Sequence, residues 1–201
     1  MSRKSLWSFT FSTASLVLIP AAVGINYIGK VFAELLKLPL WLDSIGTILA
    51  SMLAGPIIGA ICGAVNNIIY GLTMSPVSFM YGITSVAIGL VVGTLAYKGW
   101  IKSLGKAFMV GVIVALVSAV VSTPINIGFW GGQTGNVWGD AVYAYLIANK
   151  YPVWIASFID EVLVDLPDKI ATVIISYGIF KGLPKKLTLL YSNDREYETL
   201  E

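Results

Sequence analysis

Apolar residues collect along this chain into long runs, and the punctuation between the runs is Gly, Pro and short polar clusters. A helix crossing a hydrocarbon layer of about 30 Å needs about 20 mainly apolar residues, and six segments meet or approach that length. The first covers residues 7–28, with Pro20 predicting a kink; its apolar stretch is too long for a cleavable signal. The second, residues 43–53, is short and stops at Ala54-Gly55-Pro56, after which the third covers residues 57–72. These two predict shortish helices joined by a tight turn, tolerable where neighbours cover the shorter one. The fourth covers residues 77–97 and the fifth residues 108–129, with a break at Thr123-Pro124. The sixth, residues 152–180, must tilt, kink at Pro167 or project beyond the membrane. The predicted fold is an all-α membrane protein: one six-helix transmembrane domain over residues 1–190 and a short acidic tail over 191–201.

Composition agrees with the pattern. Of 201 residues 57% are apolar or aromatic and only 12% are charged, about half the charged share of a soluble domain, and the mean hydropathy is +0.81. Histidine is absent, which removes imidazole metal ligands and Ser-His or Cys-His dyads. The single cysteine, Cys62, rules out an internal disulfide or a cysteine metal cluster, and no metal or other cofactor is expected. A phosphate loop is missing too, since Gly105-Lys106 lacks both the earlier glycine and the following hydroxyl. Any work driven by ATP therefore needs another chain. A net charge of +2 makes no nucleic-acid surface.

The placement of the charges says more than their sum. With the N-terminus inside, Arg3, Lys4, Lys98, Lys102, Lys106, Lys181, Lys185, Lys186 and Arg195 lie on the inner side, against Lys30, Lys37 and Lys150 outside. That asymmetry satisfies the positive-inside rule with both termini cytoplasmic. Two long connections, residues 29–42 and 130–151, then fall on the outer side, where they suit a mouth or lid.

Polar groups at membrane depth need partners or a cavity. Asn66, Asn67 and Tyr70 fall toward the outer end of the third segment and Asn126 toward that of the fifth, beneath a stretch holding Trp130, Gln133, Asn136, Trp138, Asp140, Tyr143 and Tyr145. Amides that orient and aromatics that stack make an outer-side pocket for a flat, polar-edged molecule; interfacial belt and simple backbone bonding are the competing readings. On the sixth segment Asp160 and Glu161 sit near this pocket, positioned for a cationic or hydrogen-bonding ligand. Glu161, Asp165, Asp168 and Lys169 share one helix stripe, and Asp165, Asp168 and Lys169, expected in the inner half, form either a structural clamp or a gate. Gly55, Gly59 and Gly63 with Ala60 and Ala64, and Gly82, Gly89 and Gly93, make small-residue stripes that pack the bundle itself.

Taken in order, Leu42-Asp43-Ser44-Ile45-Gly46-Thr47, Gly55-Pro56-Ile57-Ile58-Gly59-Ala60 through Asn66-Asn67, Thr123-Pro124-Ile125 with Gly131-Gly132-Gln133-Thr134-Gly135, and Asp165 with Asp168-Lys169 before Leu183-Pro184-Lys185-Lys186 resemble the substrate-binding (S) components of energy-coupling factor vitamin transporters, in the riboflavin-carrier-like branch. The likeness covers nearly the whole chain. It implies a multi-pass protein of a prokaryotic plasma membrane that captures a B-vitamin or precursor outside and topples to release it inside. Its partners would be a transmembrane coupling subunit and two cytoplasmic ATPases. It also implies a lid from the first outer connection, here carrying Lys30 and Trp41, and a small-residue docking stripe on the first helix. The nearest match to that stripe is Ser12 with Ala14, Ser15 and Ala22, which departs from the family pattern.

Two other classes compete with solute capture. A stand-alone channel or facilitator needs polar residues on the inner halves of several helices, and only the sixth segment has them. An intramembrane aspartyl enzyme needs paired acids on separate elements, whereas Asp165 and Asp168 share one helix and Lys169 offers them a partner. The expected role is binding without catalysis. The aromatic mouth, with Trp130, Trp138, Tyr143, Tyr145 and Tyr151, favours a bulky ligand, cobalamin ahead of pyridoxine, riboflavin or a hydroxymethylpyrimidine.

Overall fold

A computed structural model describes residues 12–192. The positions assigned to 1–11, including Arg3, Lys4 and the start of the first segment, and to 193–201, including Arg195 and most of the tail, lie outside the described residues. Within them the chain is all-helical: α1 Thr13–Leu35, α2 Ile45–Ala54, α3 Pro56–Thr73, α4 Ser78–Tyr97, α5 Leu104–Trp130, α6 Val137–Ala148, α7 Val153–Gly182 and α8 Lys185–Ser192. Four of them, α1, α3, α4 and α5, are long and apolar enough to cross a membrane. The chain is thus a helical protein of membrane character.

Several boundaries differ from those read off the sequence. Helix α1 continues seven residues past Ile28 to Leu35, because nothing in Gly29-Lys30-Val31-Phe32-Ala33 halts a helix and Ala33 packs in the core beside Leu42 and Ile45. The first connection is therefore only residues 36–44. Helix α5 begins at Leu104, capped by the Ser103 hydroxyl, and runs through Pro124 without stopping; the Thr123 hydroxyl donates to Ala119 O at 2.7 Å at the turn beside the proline. The second long connection contains a helix, α6, capped by Asn136, whose side chain accepts from Trp138 N at 3.1 Å.

Helix α2 is central to the bundle. Every residue from Ile45 to Ala54 is buried, and its ten residues rise only about 15 Å, half of a hydrocarbon layer. Its N-terminus begins inside the protein, where unpaired backbone N–H groups are costly. Asn26 of α1 supplies the partner: its Oδ1 accepts from Gly46 N at 2.6 Å and Thr47 N at 3.3 Å, while its Nδ2 donates to Thr47 Oγ1 at 2.9 Å. A Cβ on Gly46 would collide with the Ala22 backbone, so glycine is what lets α1 cross this close. At the far end Gly55, with φ of 86°, turns the chain through a conformation other residues resist. Pro56 then starts α3 at a position where its missing N–H costs nothing.

Helices α3 and α4 pack as closely. Cβ atoms on Gly63, Gly89 and Gly93 would strike the backbones of Ser85, Gly59–Ala60 and Pro56 respectively, so both small-residue stripes face one another inside this chain. Helix α7 lies along α5, with Gly111 against Ile170. The bundle has two unlike ends. One carries the connections 36–44, 74–77 and 131–136. The other is filled by Ile48, Met52, Val92, Ile101, Val110, Val114 and Val173 and, beside them, by Leu49, Leu53, Ala54, Ile58 and Cys62.

Candidate functional site

Between α4, α5 and α7, at the end where those three connections gather, the bundle holds a cavity of about 170 Å³. Two helix stripes make most of its wall. Helix α4 contributes Ser78, Tyr81, Ser85 and Ile88, and α5 contributes Ser118, Ser122, Asn126 and Trp130, each set spaced at three or four residues so that it shares one face. Helix α7 adds Glu161, Asp165 and Lys169, and α3 adds Asn67. Lys30, Trp41, Asp43, Ser75 and Thr134 close the rim. The floor is Ile88, which belongs to the apolar cluster filling the opposite end.

A connected polar network lines this wall. Asn126 Nδ2 donates to Glu161 Oε2 at 2.6 Å, and its Oδ1 accepts from the Tyr81 hydroxyl. Thr84 and Ser122 share a hydrogen bond of 3.0 Å between α4 and α5. Asn67 Nδ2 donates to Gly63 O at 3.0 Å and to Ser85 Oγ at 2.6 Å. One turn below Glu161 lies Asp165, 1% exposed, with Lys169 Nζ at 3.5 Å from its Oδ1.

Lys169 is the hub of the charged groups. Its Nζ stands 2.6 Å from Asp168 Oδ2 and 3.7 Å from Asp43 Oδ1, and it donates to Ser44 Oγ at 3.3 Å. The other oxygen of Asp168 accepts the backbone N–H groups of Trp41 at 3.0 Å and Leu42 at 2.8 Å. Through Asp168 and Lys169 this cluster meets the 36–44 connection. Asp168 and Lys169 tie that connection to α7, and Asp165 and Lys169 line the cavity.

Other candidate residues sit apart from it. Asn66 is buried but off the wall, its Oδ1 without a hydrogen-bond partner. Tyr70, also off the wall, donates its hydroxyl to Asn26 O at 2.8 Å, and Lys30 Nζ lies 4.7 Å from the centre of its ring. Asp160 accepts from the Thr134 hydroxyl at 2.9 Å and anchors the 131–136 connection with help from Asp140. The Tyr143 hydroxyl donates to Gly131 O, steadying the same connection. Gln133 and Trp138 face outward, Trp138 with 59% of its surface exposed. On α1, Ser12 is the N-cap, accepting from Ser15 N at 3.1 Å. Ser15 and Ala22, at 5% and 2% exposure, face the bundle instead of forming an outer stripe, and Ala14 is half-buried.

Of the aromatic mouth, only Trp130 lines the cavity, while Trp138, Tyr145 and Tyr151 stand in the open around α6. Tyr81, Thr84, Ser85, Ser118 and Ser122 are not among the residues the sequence singles out; on α4 Gly82, Gly89 and Gly93 occupy the adjoining face, toward α3. Asn26 gave no signal, since a lone Asn in an apolar helix does not reveal which neighbour it caps.

The fold and its cavity define a helical protein of membrane character with a polar chamber closed at one end by apolar side chains. No family model matches the chain, and comparisons with curated proteins and with solved structures find no match.

Proposed function

We propose that this chain is a membrane-embedded solute-capture protein, the substrate-binding component of an energy-coupling factor importer. It takes a small, ring-containing vitamin or precursor from outside a prokaryotic cell. The observation that carries the reading is the blind cavity: polar groups converge on one end of the bundle, and the other end is packed with Ile48, Met52, Val92, Val110 and Val173. A channel or facilitator needs a continuous polar path, whereas a capture protein needs a chamber open to one side.

The membrane arrangement follows from length and charge. Alongside the four long apolar helices, α7 has 30 residues and fails only on composition, because its carboxylates and Lys169 face inward. Helix α2, with the connection preceding it, makes the remaining crossing. Six crossings place the N-terminal side of α1 and the C-terminal side of α7 together. Lys98, Lys102, Lys106, Lys181, Lys185 and Lys186 lie at the apolar-packed end, against Lys30, Lys37 and Lys150 at the cavity end, so the cavity end faces out. Without a nucleotide-binding motif, inward release depends on a coupling subunit and two ATPases. A cavity of about 170 Å³ favours a pyridoxine- or hydroxymethylpyrimidine-sized ligand.

The test is reconstitution. Purified chain in detergent should retain one small compound, vesicles holding it alone should bind but not accumulate that compound, and adding a coupling subunit with its ATPases should start ATP-dependent uptake. Sustained accumulation by the chain alone would refute the reading.

A further inference from the structure

The amide and carboxylate groups of the cavity wall have acceptor atoms left over. Both N–H groups of the Asn67 amide are donated within the protein, to Gly63 O and Ser85 Oγ, which leaves its carbonyl oxygen. Glu161 receives Asn126 on Oε2 only, and among the described residues no ammonium group pairs with it. Asp165 has Lys169 near Oδ1, while its Oδ2 is buried without a partner. The Asn67 orientation is fixed by Gly63 O, because a carbonyl oxygen can only accept.

The charge balance points the same way. Asp43, Glu161, Asp165 and Asp168 stand around the chamber, and the ammonium groups there belong to Lys169 and Lys30. Lys169 is already divided among Asp43, Asp165 and Asp168. Lys30 is engaged by Glu34 at 3.9 Å and by the Tyr70 ring. A buried carboxylate without a full cationic partner is costly; among the described residues Glu161 has no ion pair, and Asp165, one helical turn away at about 5–6 Å between Cβ atoms, shares Lys169 with two other carboxylates. Trp130, Tyr81 and, at the rim, Trp41 also line the cavity, and aromatic rings attract a cation placed over their faces.

We infer that the cavity is shaped for a small ring compound bearing a positive, multiply N–H-donating group, such as an amidinium or a protonated amino-heterocycle, gripped by Glu161 and Asp165. This deepens the capture reading and rests on it. The ligand completes the chamber's charge: its N–H groups reach Glu161 and the Asn67 carbonyl, with Asp165 one turn below supplying further negative charge, and its ring lies beside the aromatic side chains.

Three single-ring probes of one size and different charge test this: benzamidine as the cation, benzyl alcohol as the neutral compound and benzoate as the anion. Each is titrated at millimolar concentration into the purified full chain, with tryptophan fluorescence and melting temperature as readouts. Benzamidine should bind at least about tenfold more tightly than benzoate. Glu161→Gln, which keeps an acceptor for Asn126, should abolish most of that preference, and Asp165→Asn should reduce it. Equal or tighter binding of benzoate or benzyl alcohol, silence from all three probes, or a preference untouched in both variants would overturn the inference. The mass of the compound retained through purification separates the two levels. A neutral or anionic vitamin leaves solute capture standing and removes the charge assignment, whereas ATP-independent accumulation by the chain alone removes solute capture itself.

Discussion

Asp168 of α7 accepts the backbone N–H of Trp41 at 3.0 Å, joining residues 127 positions apart. The same oxygen takes Leu42 N, and the other oxygen takes Lys169, so one carboxylate fixes the rim of the cavity to the helix that forms its charged wall. Bonds to a charged acceptor contribute about 1.5–3 kcal/mol each. Asp168→Asn should therefore lower stability by about 1–3 kcal/mol and speed amide exchange at Trp41 and Leu42, with exchange in α3 and α4 unchanged. Unaltered protection at 41–42 would show that apolar contacts alone seat the connection.

Lys169 compensates three carboxylates within 4 Å, Asp43, Asp165 and Asp168. Removing one partner of a buried ion cluster costs about 3–5 kcal/mol. Lys169→Ala should thus depress folded yield and melting temperature more than it depresses ligand affinity among the molecules that fold. Adding Asp168→Asn to it should recover part of the loss, since one uncompensated charge goes with it. If Lys169→Ala melts normally and uptake alone collapses, the cluster is a moving gate and not a clamp.

The adjacent amides give a paired prediction. Asn67 lines the cavity, and Asn66, one residue away on α3, does not. Asn67→Ala should weaken ligand binding about tenfold, or about 1.4 kcal/mol, with expression intact, whereas Asn66→Ala should leave affinity unchanged. Equal effects from both, measured by equilibrium binding, would remove Asn67 from the ligand's surroundings.

Close helix approach at Gly46 makes a steric prediction with an internal control. A Cβ there meets the Ala22 carbonyl, while one at Gly178 meets nothing within 4 Å. Gly46→Ala should cost about 1–3 kcal/mol and displace α1 from α2. Gly178→Ala should be neutral or stabilising by about 0.5–1 kcal/mol. Thermal unfolding of the two proteins side by side decides it.

How much of this was legible beforehand depended on whether the signal was local. The Ala54-Gly55-Pro56 stop is written in three adjacent residues, and the helices it bounds were readable; the start of α5 at Leu104, four residues before Phe108, was not. The end of α1 was not, because Leu35 is set by Ala33 packing on Leu42 and Ile45, a contact with chain not yet folded. The same limit hid the partners of Asp168 and Lys169 on the 36–44 connection. Their shared stripe was visible as a spacing, but that connection had to be seen to put Trp41 and Asp43 beside them. Asn67, Asn126, Trp130 and Glu161 were identified from residue type, and all four line one chamber. The serines of α5 escaped because Ser118 and Ser122 look like ordinary small packing residues until the helix facing them proves to carry Tyr81 and Thr84.

Orientation across the membrane can be tested with single cysteines, because Cys62, the one native thiol, is fully buried and gives a low labelling background. Trp138 on α6 is exposed at the cavity end, and Lys185 on α8 is exposed at the other. In intact cells a membrane-impermeant maleimide should label Trp138→Cys, and Lys185→Cys should react only after permeabilisation. Lysines concentrate around the apolar-packed end, and insertion holds such an end on the cytoplasmic side. If Lys185→Cys labels first, the chamber opens inward, and a protein whose pocket cannot meet solute outside the cell is not the capture subunit of an importer.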